Sequence, residues 1–137
     1  MGADFIREGV EMYLRMGAGS EFARCVLYIL APDEAGDYCL NVFQTDSDPE
    51  RRAFAVDLLK YVSDRRVLSW VPRFLSDSNL GVQTGGIGIV DQLFIRRMVG
   101  YEEIAELVTN ALNHPHSGVR EAARSIEEAH RRRMALG

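Results

Sequence analysis

Three histidines, two cysteines and a run of carboxylates are the side chains of this 137-residue sequence whose chemistry has to be weighed first. His114 and His116 flank Pro115, as paired metal ligands could. A rigid proline between two histidines turns their imidazoles apart, and neither a cysteine nor an acid completes a recognised ligand spacing, so no metal is expected. His130 fits a helix face better than a ligand set. Cys25 and Cys39 lie outside any CxxC spacing, which favours free thiols. Serine, histidine and aspartate are all present, but no GxSxG or HExxH signature links them, and no catalytic residue is assigned. Gly85-Gly-Ile-Gly88 has the composition of a phosphate loop without its context. No Gly-Lys-Ser/Thr follows it and no strand precedes it, so no nucleotide or other cofactor is expected.

Charge is the second chemical signal. The stretch from Asp33 to Glu50 holds six acids, Asp33, Glu34, Asp37, Asp46, Asp48 and Glu50, and no base. Such a stretch either faces solvent as a loop or presents a negative patch to a basic partner. The bases are arginine except for Lys60, and they cluster at 51–52, 65–66, 96–97 and 131–133. Those pairs could line a ridge that grips phosphate. The net charge of −4 argues against nucleic acid, because its binders carry a basic domain, and arginines at helix ends are explained by the helix dipole.

The elements that must position these residues are helices. Ile104, Leu107, Val108, Ala111 and Leu112 form one apolar face of a helix running from about Tyr101 to before Pro115. Ser117 is expected to cap the next, with Val119, Ala122, Ala123, Ile126 and His130 inward and Glu127–Arg131 and Glu128–Arg132 paired outward. Asp48-Pro49-Glu50 starts a helix that reaches about Ser63 and is apolar on more than one face. A short helix from Arg66 to Leu75 tolerates Pro72 near its start or kinks there. Leu80 to Arg96 is helical despite Gly81, Gly85, Gly86 and Gly88, each costing about 1 kcal/mol against alanine, which close helix packing or an approaching ligand would have to offset. Upstream, helices are expected from about Ala3 to Met16, Ser20 to Leu30 and Gly36 to Phe43, with a break at Gly17-Ala-Gly19 and a turn or helix start at Ala31-Pro32-Asp33. No alternating β pattern is present.

The helix starts repeat. Asp48-Pro-Glu-Arg-Arg-Ala-Phe-Ala-Val-Asp-Leu, Asn79-Leu-Gly-Val-Gln-Thr-Gly-Gly-Ile-Gly-Ile and His116-Ser-Gly-Val-Arg-Glu-Ala-Ala-Arg-Ser-Ile align, with starts 31 and 37 residues apart. The register superposes Arg52, Gln83 and Arg120; Ala55, Gly86 and Ala123; and Leu58, Ile89 and Ile126. A polar cap, an arginine, a small residue and an aliphatic in this order resemble the first helix of HEAT-like repeats, although the period is shorter than the roughly 40 to 47 residues of that class. An ordinary bundle of amphipathic helices aligned by chance is the alternative. The resemblance implies an all-α fold, a short α-solenoid of about seven to eight helices. Residues 1–137 would form a single domain, with degenerate helices over 1–46 and repeats over 47–137.

Repeat stacks of this kind bind other macromolecules through extended surfaces. The resemblance therefore implies a non-catalytic adaptor or inhibitor that binds a protein, such as an immunity protein neutralising a bacterial toxin. The alternatives are nucleic-acid binding along the arginine ridge, or an accessory or lyase subunit that seats a small ligand beside the glycine-rich helix. The candidate binding residues are Asp46, Asp48, Arg52, Gln83, Gly85, Gly86, Arg96, Arg97 and Arg120. No apolar run approaches the roughly 20 residues that span a bilayer, and the N-terminus lacks the features of a secretion signal, so a cytoplasmic protein without a membrane partner is expected.

Overall fold

In the computed structural model, residues 2–16, 32–62 and 64–137 are described, and they form seven α-helices and one 3-10 helix, without a strand. The fold class is all-α. The chain divides into two compact units, Met1–Ser63 and Asp64–Gly137, each described on its own terms. The helix expected from Ser20 to Leu30, the Gly17–Gly19 break and Cys25 lie outside the described residues.

In the first unit, α1 (Gly2–Met16) buries Ile6, Val10 and Leu14, a stripe at four-residue spacing. Helix α2 (Pro32–Thr45) starts at Pro32, so that of the two readings of Ala31-Pro32-Asp33 it is the helix start that holds, and the helix extends beyond the expected span of Gly36 to Phe43 at both ends. Pro32 takes the first helical position, where its missing N–H costs nothing, and Asp33 and Glu34 complement the dipole in the first turn. It buries Ala35, Cys39, Val42 and Phe43. Helix α3 (Pro49–Val62) follows Asp48, whose carboxylate accepts the Glu50 N–H at 2.9 Å. Its buried residues Ala55, Val56, Leu58, Leu59 and Val62 span more than one stripe because both α1 and α2 pack on it. Gly36 lets α2 approach closely, since a Cβ there would lie 3.2 Å from the Val62 carbonyl oxygen. The Cys39 thiol is fully buried, and loss of water pushes its ionisation well above the usual thiol range.

The second unit opens with a 3-10 helix, Arg65–Trp70, capped by the Asp64 carboxylate on the Arg66 N–H at 2.9 Å. It passes directly into α4 (Val71–Leu75). The single helix expected over 66–75 is therefore split. Pro72 lacks a donor and its ring crowds the carbonyl four residues back, so the α-helix restarts with the proline in its first turn. Asn79 caps α5 (Leu80–Ile95) through the Val82 N–H at 3.1 Å. Helix α5 packs against α4, α6 and α7, and accordingly buries residues all round, from Val82 to Phe94.

Glu103 reaches back to the Gly100 N–H at 2.7 Å to close the start of α6 (Tyr101–Leu112), which buries Ile104, Val108 and Ala111. The N-cap of α7 (Ser117–Leu136) is His116, with Ser117 the first helical residue rather than the cap. Helix α7 buries Val119, Ala123 and Ile126.

Each of the three aligned starts, Asp48, Asn79 and His116, stands immediately before an α-helix. The superposed Leu58, Ile89 and Ile126 are all 0% exposed, and Ala55, Gly86 and Ala123 are all buried. The register thus selects core positions in every helix it touches.

Candidate functional site

Arg51 is the centre of a polar network among the described residues of the first unit. It stands on the first turn of α3 and grips Glu11 of α1 with a two-pronged contact, Nη1 to Oε2 at 3.0 Å and Nη2 to Oε1 at 2.9 Å. Its Nε donates to Asp46 Oδ2 at 2.8 Å, and the other Asp46 oxygen accepts the Asp48 N–H at 2.9 Å. Tyr38 of α2 donates its hydroxyl to Glu11 at 2.7 Å. The Arg51 guanidinium therefore ties α1, α3 and the turn before α3, and Tyr38 adds α2 through Glu11.

The hydrogen bond from Arg51 holds the Glu11 carboxyl below the usual carboxylate range against the opposing effect of burial, and Arg51 does the same for Asp46. The hydrogen bond that Tyr38 donates to Glu11, followed by burial, raises the Tyr38 phenol. Both carboxylates are thus held as anions near neutral pH, a state suited to ion pairing rather than proton transfer.

Beside this network lies an open cleft of about 450 Å³, lined by Ile6 and Arg7 of α1 and by Glu34, Asp37, Tyr38 and Asn41 of α2. Glu34, Asp37 and Asn41 are exposed on one helix at three- and four-residue spacing, so they share a face. The Arg7 guanidinium lies 5.9 Å from the centre of the Tyr38 ring.

The candidates from the sequence take other positions. Arg52, Gln83 and Arg120 share a task rather than a site: each anchors its helix to the backbone that precedes it. Arg52 donates to the Phe43 carbonyl at 3.0 Å and lies over the Phe43 ring; Gln83 donates to the Asp77 carbonyl at 2.6 Å; Arg120 donates to the His114 and Pro115 carbonyls, both at 2.8 Å. Gly85 and Gly86 are buried, and a Cβ on Gly86 would meet the Phe74 Cβ at 2.6 Å, so here the glycine serves helix packing. Asp46 and Asp48 belong to the α2–α3 turn, one holding Arg51 and the other starting α3.

Arg96 and Arg97 end α5. Arg97 is left-handed, φ 59°, and the Arg97 N–H bonds the Phe94 carbonyl at 3.1 Å while the Met98 N–H bonds the Leu93 carbonyl at 2.9 Å. This is a Schellman closure with arginine where glycine is usual.

The histidines are dispersed. His114 Nδ1 accepts the His116 N–H at 3.0 Å, which leaves Nε2 to donate to the Leu75 carbonyl at 2.7 Å and assigns the tautomer. His130 stacks on Tyr101 with centroids 3.8 Å apart, and Phe94 meets both edge-on. Among the described residues, no group of three histidine, cysteine or acidic side chains could hold a metal ion. No helix among them is long and apolar enough to cross a membrane.

Glu11 and Tyr38 carry no signal in the sequence that would have singled them out, and Arg51 stands out there only as half of an arginine pair. Glu11 and Arg51 are 40 positions apart, and only the packing of α1 on α3 joins them. Comparison of the chain with protein-family models, curated proteins and solved structures finds no match in any of the three.

Proposed function

We propose that the chain is a non-catalytic protein-binding module, built on HEAT-like repeats, that acts as an adaptor or inhibitor by receiving a basic segment of its partner on the acidic face of α2. The observation that carries this reading is the open cleft in which Glu34 and Asp37 stand beside Tyr38 and Asn41. Two exposed carboxylates one helical turn apart offer an arginine or lysine ion pairing, beside the Tyr38 ring that Arg7 of the chain itself approaches at 5.9 Å. A cytoplasmic bacterial immunity protein that blocks a basic toxin is the biological setting this reading favours.

Engagement of the arginines within the fold weighs against the nucleic-acid reading. Arg51 holds Glu11 and Asp46, Arg65 bonds the Met98 carbonyl and faces Glu103, Arg66 pairs with Asp64, and Arg131 and Arg132 pair with Glu127 and Glu128. The ligand-seating reading loses space where Phe74 fills the approach to Gly86.

The test is a pull-down with the tagged protein beside its Glu34→Lys/Asp37→Lys variant. A protein recovered at stoichiometric yield by the parent and lost by the variant is expected. A partner retained equally by both, or none at all, refutes the reading.

A further inference from the structure

The cleft that carries Glu34 and Asp37 on its α2 wall carries a cation, Arg7, on its α1 wall. Arg7 and Glu11 stand four residues apart on α1, a spacing at which an arginine and a glutamate can pair. Here Glu11 is committed elsewhere. Its Oε1 accepts the Tyr38 hydroxyl at 2.7 Å and Arg51 Nη2 at 2.9 Å, and its Oε2 accepts Arg51 Nη1 at 3.0 Å. The contact left to Arg7 is the Tyr38 ring, whose centre lies 5.9 Å away, near the limit at which a cation and a ring attract.

Arg7, Glu34 and Asp37 are all exposed, and among the described residues none of the three enters an ion pair. Both signs of charge therefore line one space of about 450 Å³ without neutralising one another. A purely basic occupant would sit opposite Arg7, and a purely acidic one opposite Glu34 and Asp37. An occupant that carries both charges meets each wall with its complement.

We infer that Arg7 sets the specificity of this cleft: it selects a partner segment in which a base, seated against Glu34 and Asp37, has an acid beside it to meet the Arg7 guanidinium. The inference rests on the protein-binding reading above and narrows its occupant from a basic segment to one of paired opposite charges. A length of chain is favoured over a free zwitterion because the cleft is open, whereas small-molecule sites enclose most of their ligand. Asn41, which lies on the α2 face with the two acids, offers the backbone of such a segment both a donor and an acceptor.

NMR titration of the full chain, followed at its backbone amides, tests this. Two extended glycine peptides are compared that carry an arginine and, two positions on, either glutamate or glutamine, with free arginine as a third probe. The glutamate peptide is expected to bind about two to five times more tightly than the glutamine peptide. Arg7→Gln should remove that preference and Arg7→Lys keep most of it, a pattern that a purely structural role for Arg7 would not produce. Equal binding of the two peptides, a preference that survives Arg7→Gln, or tighter binding of free arginine than of either peptide overturns the inference. If the peptides bind equally and Glu34→Lys/Asp37→Lys loses both, the basic-segment reading stands and the specificity assigned to Arg7 falls. Absence of shifts with either peptide also overturns the inference, while the pull-down still decides the protein-binding reading.

Discussion

Gly86 and Phe74 are so closely packed that a Cβ on the glycine would lie 2.6 Å from the Phe74 Cβ, nearer than two carbons can approach. Both residues are buried where α4 meets α5. Gly86→Ala should therefore destabilise the protein by about 1 to 3 kcal/mol in urea unfolding, although alanine is the better helix former. Gly81, exposed in the first turn of the same helix, should show the opposite sign, with Gly81→Ala adding about 0.5 kcal/mol. Equal effects at the two positions would remove the packing explanation.

Gln83 does for α5 what Arg120 does for α7, yet less completely. Its Nε2 bonds the Asp77 carbonyl, while its Oε1 is buried without a partner. Arginine has no acceptor to leave unsatisfied, and Arg52 and Arg120 show that the register accommodates it. Gln83→Arg is expected to raise the urea midpoint by an amount equivalent to about 1 kcal/mol. A lower midpoint would mean that the three positions are not interchangeable.

Acid should weaken the first unit through Glu11 and Asp46. Their folded values lie below the ordinary 4.5 and 3.8, so the stabilisation is complete at neutral pH and is lost as pH falls through those depressed values. The Glu11–Arg51 pair is partly exposed, which limits its contribution to about 1 kcal/mol or less. Circular dichroism unfolding between pH 7 and pH 3 should show a slope that Arg51→Leu flattens. An unchanged slope in that variant would assign the acid sensitivity to other carboxylates.

Arg97→Gly should stabilise the second unit by about 1 kcal/mol, because a left-handed side-chain-bearing residue is strained and glycine is not. Thermal unfolding followed by the fluorescence of Trp70 measures this. A fall in Tm would show that the arginine side chain contributes more to the fold than its backbone costs.

The parts of the fold legible in the sequence were those written locally. Asp48 before Pro49 and Asn79 before α5 signal helix starts through capping, which depends on three or four neighbours, and the start of α6 near Tyr101 follows from its apolar periodicity. The helix start at Pro32 is one of the two readings that Ala31-Pro32-Asp33 allows, and the residues around it do not decide between turn and helix. Gly36 lies inside the helix. Its purpose is the 3.2 Å approach to the Val62 carbonyl, a contact 26 residues away. The residues around Pro72 suggest one helix, tolerant of the proline or kinked at it, because a 3-10 segment leaves no distinct periodicity in six residues.

The site was less legible than the fold for the same reason. Arg52, Gln83 and Arg120 stood out because they repeat, and what repeats turned out to be an anchoring bond within the fold. Arg51, one position from Arg52, joins elements far apart in sequence and leaves no periodic trace. Nor does a sequence show that Arg97 is left-handed, since arginine is an uncommon choice there.

Cys39 has one more use. A thiol with no exposure and a strongly raised ionisation cannot meet an alkylating reagent until the helices around it part. In a Cys25→Ser background, the labelling rate of Cys39 becomes a stopwatch for the breathing of the first unit, one that runs slower whenever a partner holds α1, α2 and α3 together.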